Sequence, residues 1–234
     1  MATAANYVVP ALTKHTATVI MAHGLGDSGA GWMSLAQNWR RRGKFPEVAF
    51  IFPNAPSIPI TVNMGMSMPG WYDIAQLGSS LDPAAKQDET GILRSRDTFN
   101  SLVEEEMKKG IKSDRIVLGG FSQGGAMSLF TGLTSDVKLG GIFGLSCYVV
   151  LGDKFKEFIP KEFPNKETPV FMGHGDVDSV VKFEYGVKSA DALKELGVDV
   201  DFRKYPGLEH SADPLEIQHL EEYLVKRLPA EEKL

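Results

Sequence analysis

Six short apolar runs recur along the chain, separated by stretches with helical spacing. The runs are Thr18 to Ala22, Val48 to Phe52, Arg115 to Leu118, Gly141 to Leu145, Val170 to Met172 and Val200 to Tyr205. They are rich in β-branched residues and nearly continuous, as parallel strands covered on both faces are. Between them, Trp32, Leu35, Ala36 and Trp39 predict a helix, with Asp27 or Ser28 placed to cap it. Ile92, Arg96, Phe99 and Val103 predict a second helix, closed by Gly110. Asp213 as cap, Pro214 at the first position and Glu216 in a capping box predict the last one, with Leu220, Tyr223 and Leu224 on its apolar side. This alternation predicts an α/β fold with an open, mostly parallel sheet wrapped on both faces. Ligands then bind beyond the carboxyl ends of the strands. Residues 1–234 are read as one domain, a length at which large α/β folds are common.

Composition narrows the function. At 43% hydrophobic residues the chain can bury a core without a metal or disulfide staple. A net charge of -5 and the absence of a long basic run argue against nucleic acid. Arg40-Arg41-Arg42 falls at a predicted helix end, where cations complement the dipole. The one cysteine, Cys147, has no internal partner and lies in an apolar run, so it reads as a buried small hydrophobe in a reducing compartment. Met-Ala-Thr-Ala-Ala carries no charged segment followed by an apolar one, and no run has the length of a membrane span. A cytoplasmic protein with access to the nucleus is expected. No metal and no cofactor are expected.

One stretch, at about 53–87, breaks the alternation. Pro53 to Gln87 is rich in proline and holds Met64, Met66, Met68 and Trp71-Tyr72. Structureless connections longer than about 12–15 residues are usually functional or disordered, and this one is too apolar for disorder. It is expected to lie over the active face. A second irregular stretch, Tyr148 to Thr168, is expected there too.

The run Arg115 to Leu118 leads into Gly119-Gly120-Phe121-Ser122-Gln123-Gly124-Gly125, and a helical pattern follows from Ala126. Strand, tight turn and helix form the context in which Gly-x-Ser-x-Gly presents a nucleophile. The serine sits in a strained conformation, and side chains at Gly120 and Gly124 would collide with the neighbouring strand and helix. A glycine-rich helix start with an incidental serine is the bland alternative. A phosphate-binding loop fails, because no Lys-Ser/Thr pair follows the glycines.

A serine needs a general base. The chain order nucleophile, acid, base leaves His210, in the loop between the last strand and the last helix. His219 lies within that helix, where a solvated side chain is the ordinary reading. His210 must be unprotonated to act, so the rate should fall on acidification. The acid should follow Val170 to Met172, where Asp176 and Asp178 compete. Reach favours Asp178 without deciding it; Asp176 suits tying the loop through backbone N–H groups. The acid must stay ionised to orient the imidazole. Two backbone donors should stabilise the oxyanion: the N–H of Gln123, and that of Leu25 in Ala22-His23-Gly24-Leu25-Gly26-Asp27. A plain strand-to-helix turn is the alternative for the second segment.

These residues resemble the acyl-protein thioesterases, the small lysophospholipase-type carboxylesterases. The likeness runs through His23 to Asp27, Pro53-Asn54-Ala55-Pro56, Gly70-Trp71-Tyr72-Asp73-Ile74, Gly119 to Gly125, Leu145-Ser146-Cys147, His174 to Asp178 and Gly207 to Ser211. It implies an α/β-hydrolase fold with Ser122, Asp178 and His210 as triad, and Leu25 and Gln123 as oxyanion donors. It implies removal of palmitoyl chains from cysteines of G-protein α subunits and Ras-like GTPases, some lysophospholipid hydrolysis, and transient contact with membrane surfaces. Where such proteins usually carry Asp-Pro-x-x-Pro, this chain has Asp178-Ser179-Val180-Val181-Lys182, which removes two stiffening prolines beside the acid. A long acyl chain needs an apolar groove, for which Met64, Met66, Met68, Trp71 and Leu77 are the candidates; ordinary packing under a long loop is the alternative. An apolar groove rim would also favour a homodimer. A short-chain carboxylesterase and a non-catalytic binding protein of the same fold are the competing functions.

Overall fold

The computed structural model describes residues 5–75 and 86–231. The six apolar runs become six parallel strands of one seven-stranded sheet. In chain order the first strands are β1 (Tyr7–Val9), β2 (Ala17–Ala22) and β3 (Val48–Phe52). A two-stranded hairpin follows, β4 (Ser57–Pro59) and β5 (Ser67–Pro69). The main sheet then continues with β6 (Ile116–Phe121), β7 (Gly141–Leu145), β8 (Val170–Gly175) and β9 (Val200–Tyr205). The sheet order is β1-β3-β2-β6-β7-β8-β9. Only β1 runs antiparallel, against β3. With most of the sheet parallel and helices beside it, this is the α/β-hydrolase architecture.

The helices are α1 (Ala30–Arg41), α2 (Glu89–Lys108), α3 (Gln123–Leu133), the one-turn α4 (Phe155–Phe158), α5 (Phe183–Glu195) and α6 (Pro214–Arg227). Alternation along each strand sorts the core onto two faces. In β2, Ile20 and Ala22 join a cluster with Phe99 of α2, Phe130 of α3 and Leu193 of α5. Val19 and Met21 point the other way, to Trp39 of α1 and Leu220 and Leu224 of α6. Burying each of the larger aliphatic side chains and phenylalanines among them contributes about 1.5–3 kcal/mol. Among the described residues, no helix is long and apolar enough to cross a membrane.

Several helix ends differ from expectation. Gly29 is the N-cap of α1 and no side chain caps it, so neither Asp27 nor Ser28 does so. Instead the Asn54 side chain, from the turn after β3, accepts the Gly29 N–H at 2.9 Å. Glycine is needed there because a Cβ would lie 2.3 Å from the Phe52 carbonyl oxygen. At the other end, Arg40 and Arg41 occupy the last turn of α1. α2 ends as expected, with Gly110 at φ 93° just beyond it.

Asp213 caps α6, accepting the Leu215 N–H at 2.7 Å. The expected capping box is not closed. Glu216 is fully buried, and neither carboxyl oxygen has a hydrogen-bond partner.

Burial raises the Glu216 pKa, so between its ordinary value and about 8 the folded carboxyl holds a proton that the unfolded chain has released. Its contribution to stability therefore falls as pH rises through that window. Glu216→Gln, which cannot titrate, should gain stability relative to wild type as pH rises, levelling off above about 8. Denaturant unfolding of both proteins across this range is the check. A pH-independent difference would show that Glu216 is not a buried acid.

Candidate active site

The strand ends create the site. Ala22 at the end of β2 pairs with Gly120 of β6, so the loops after these strands emerge side by side. Ser122 follows β6 directly and precedes α3 with φ 52° and ψ −122°, a conformation that costs about 1–3 kcal/mol outside glycine. Its N–H donates to Leu145 O of β7 at 2.8 Å, and its carbonyl accepts the Ala126 N–H at 2.9 Å. Flanking glycines permit the turn. A Cβ at Gly124 would lie 2.3 Å from Ala22 O and 2.5 Å from His23 O; one at Gly120 would meet Ala22 O at 2.6 Å.

His210, in the loop after β9, places Nε2 2.9 Å from Ser122 Oγ and Nδ1 2.7 Å from Asp178 Oδ2. A carboxylate can only accept, so the proton is on Nδ1 and Nε2 is free to accept from the serine hydroxyl. The Asp178 side chain is fully buried. Its Oδ1 accepts the N–H groups of Val180 and Val181, each at 2.9 Å. His174 donates from Nε2 to Val181 O at 2.8 Å, and burial holds it below the ordinary histidine range. Hydrogen bonds thus tie down the loop that lacks the two prolines. Asp176 has a different geometry: its Oδ1 accepts the Gly207 N–H at 2.7 Å and its Oδ2 lies 3.6 Å from Lys204 Nζ. It fastens the loop that carries His210. His219 is not simply solvated, since its Nδ1 lies 3.0 Å from the Tyr205 hydroxyl.

Leu25 and Gln123 both border the cavity at Ser122. Among the described residues, neither backbone N–H donates to another part of the chain. The Gln123 side chain accepts the Trp71 N–H at 2.8 Å and donates to Tyr72 O at 2.7 Å, anchoring the segment after the hairpin.

The cavity measures about 390 Å³. Its apolar walls come from Leu25, Ile60, Val62, Met68, Ile74 and Tyr148, with Val180 and Val181 from the loop that carries Asp178. The groove expectation needs correction. Of the candidates among the described residues, only Met68 lines it. Met64 and Met66 lie in the turn between β4 and β5 and are 85% and 51% exposed. Trp71 is buried beneath the site, bonded through Nε1 to His23 O at 2.9 Å. Leu77 lies outside the described residues. The apolar residues that do face the cavity lie within the hairpin, as Ile60, Val62 and Met68 do, and outside it, as Leu25, Ile74 and Tyr148 do, and composition alone could not point to them. The stretch from Tyr148 to Thr168 reaches the cavity only through Tyr148. Phe155 and Phe158 pack instead on Phe130 of α3. Among the described residues, no group of three metal-ligating side chains gathers anywhere.

With this geometry in place, the comparison with known proteins decides the family. Residues 3–228 match the phospholipase/carboxylesterase family model. The chain belongs to the phospholipase/carboxylesterase family. It is a hydrolase. The acyl-protein thioesterase 1 of Emericella nidulans is 65% identical to it over 231 residues, covering 97% of each chain. The protein of the same name from Yarrowia lipolytica is 46% identical over 94% of this chain and 96% of its own. Among solved structures of similar proteins, the acyl-protein thioesterase 2 of Zea mays superposes with a TM-score of 0.85. It is 29% identical and covers 96% of this chain and 99% of its own.

The close approach at the serine turn has a direct test. Gly124→Ala drives a methyl group into two backbone carbonyls that cannot move aside, so a loss on the order of 3 kcal/mol or more is expected. Denaturant unfolding measures it, and an unchanged midpoint would show that the turn has room.

Proposed function

We propose that the chain is an acyl-protein thioesterase that uses Ser122 as nucleophile, His210 as base and Asp178 as its orienting acid. Its substrates in this reading are palmitoylated cysteines of cytosolic proteins such as G-protein α subunits and Ras-like GTPases, with lysophospholipids and simple esters as lesser ones. The protein then works in the cytoplasm, with access to the nucleus, and touches membrane surfaces only transiently. The names of the similar proteins support this reading. The observation that carries it is the apolar cavity of about 390 Å³ bordering the Ser122–His210 pair.

The chemistry follows from the geometry. His210 Nε2 takes the Ser122 proton as Oγ attacks the thioester carbonyl carbon. The imidazolium that forms is stabilised by Asp178 through Nδ1. Negative charge gathers on the former carbonyl oxygen, facing the N–H groups of Leu25 and Gln123 and the N-terminus of α3. Collapse breaks the carbon–sulfur bond, and the cysteine sulfur leaves with the proton held by His210. Water, deprotonated by the same nitrogen, then attacks the acyl-enzyme, and the fatty acid departs with Ser122 regenerated. A chain of about sixteen carbons gains about 0.8 kcal/mol per buried CH₂ in the membrane, so the enzyme must offer apolar surface to withdraw it. Ile60, Val62, Met68 and Ile74 offer such surface.

Hydrolysis rates over an acyl series from acetyl to palmitoyl thioesters test the substrate class. A kcat/KM rising toward the long chains is expected. Activity that peaks at acetyl and vanishes at palmitoyl would make the protein a short-chain esterase.

Ser122→Ala should abolish turnover and labelling by a fluorophosphonate probe, with an unchanged circular dichroism spectrum. Substantial residual hydrolysis would remove Ser122 from its role.

A further inference from the structure

His23 stands at the end of β2, next to the segment that carries Leu25. It is completely buried, and the reaction as derived above makes no use of it. Both of its ring nitrogens are engaged. Nδ1 lies 2.7 Å from Gly24 O, and Nε2 lies 3.0 Å from the Ala55 backbone nitrogen. The Ala55 N–H can only donate, so Nε2 must accept. The proton therefore sits on Nδ1 and is donated to Gly24 O.

Gly24 O belongs to the same planar peptide unit as the Leu25 N–H. In a trans peptide these two groups point in opposite directions. Whatever holds the carbonyl therefore aims the N–H. The Asp27 N–H gives Gly24 O a second, longer bond at 3.3 Å, so the carbonyl is held from two sides. The peptide is close to the reacting centre: a Cβ on Gly24 would lie 3.2 Å from Ser122 Cβ. We infer that His23, as its Nδ1–H tautomer, is a positioning residue of the oxyanion hole, fixing the direction of the Leu25 N–H through the Gly24 carbonyl. The inference rests on the reading of Leu25 and Gln123 as the two oxyanion donors.

The same histidine links the two donors. Trp71 donates from its indole Nε1 to His23 O at 2.9 Å and from its backbone N–H to the Gln123 side chain at 2.8 Å. Its ring also packs on the His23 imidazole, with centroids 5.3 Å apart. One tryptophan thus spans the segments that carry the Leu25 and Gln123 amides, and the spacing of the two donors is set by a closed set of buried hydrogen bonds. Burial also holds His23 below the ordinary histidine range, which keeps Nε2 free to accept; the bond to the Gly24 carbonyl and, less, the nearby Asp27 carboxylate oppose this only in part.

Two substitutions separate aiming from filling space. In His23→Asn the amide nitrogen is bonded to the γ carbon, as Nδ1 is, and can still donate to Gly24 O. In His23→Gln the amide reaches the Nε2 position and can accept from Ala55, but the donor to Gly24 O is lost. His23→Gln should lower kcat about tenfold or more with KM little changed, below the 10²–10³ cost of deleting a donor outright. His23→Asn should restore most of that kcat at equal or lower thermal stability. A purely structural histidine predicts instead that losses follow stability in both variants. Equal kcat in His23→Gln and wild type overturns the inference while leaving the serine mechanism standing. An inactive wild type overturns the mechanism and the inference together. Should neither variant fold, imidazole nitrogen NMR on the wild-type protein decides the tautomer at neutral pH: a protonated Nδ1 with bare Nε2 is expected, and a proton on Nε2 overturns the inference.

Discussion

The site depends on one strained residue. Ser122 holds φ 52° at the junction of β6 and α3, and everything around it exists to keep it there. The Leu145 carbonyl of β7 takes its N–H, and the first turn of α3 takes its carbonyl. The carbonyls of Ala22 and His23 crowd so close to Gly124 that no side chain fits between. The strain lifts the hydroxyl clear of the sheet and sets the next N–H, that of Gln123, at the start of a helix whose dipole favours an anion. Close packing of β2 against β6 thus brings Ser122 and the segment that carries Leu25 together in one step.

The remaining parts are attached by polar ties rather than by bulk. Asp178 receives two backbone N–H groups and the His210 ring. His174 grips the carbonyl of Val181, and Asp176 grips the loop leading to His210. Such buried bonds are strong because little water competes for them, and costly to break for the same reason. They replace the constraint that prolines at positions 179 and 182 would have imposed on the backbone.

Five of the six parallel strands were legible because they are buried along nearly their whole length and read as apolar runs; β9, at the sheet edge, is only partly buried, with Asp201 and Lys204 exposed. β1 was not legible. It has three residues, of which Tyr7 and Val8 are exposed, and it exists only because β3 offers it an edge. The β4–β5 hairpin was hidden by the prolines that end its strands, Pro59 and Pro69. Ser122 and His210 could be named from spacing, since strand, turn and helix order constrain them. The choice of Asp178 over Asp176 leaned on family resemblance. The cavity wall could not be read: methionines mark apolar chain but not its direction, so Met64 and Met66 looked like lining and stand in the hairpin turn. His23 was in view inside a motif, but its bond to the Gly24 carbonyl is one that spacing does not reveal.

His210 and Ser122, in hydrogen-bond contact, are separated by 88 positions in the chain and follow strands kept apart by β7 and β8. Ser122, Asp178 and His210 are all far from one another in the chain. Each comes into range only when a distant parallel strand has found its place, and contacts of this kind form slowly because long loops must close first. A chain that has collapsed but not completed its sheet therefore has a serine and a histidine but no hydrogen bond between them. During refolding, hydrolysis should be among the last properties to return, later than helical signal or burial of the tryptophans, and its lag measures the time the sheet needs to zip from β2 to β9.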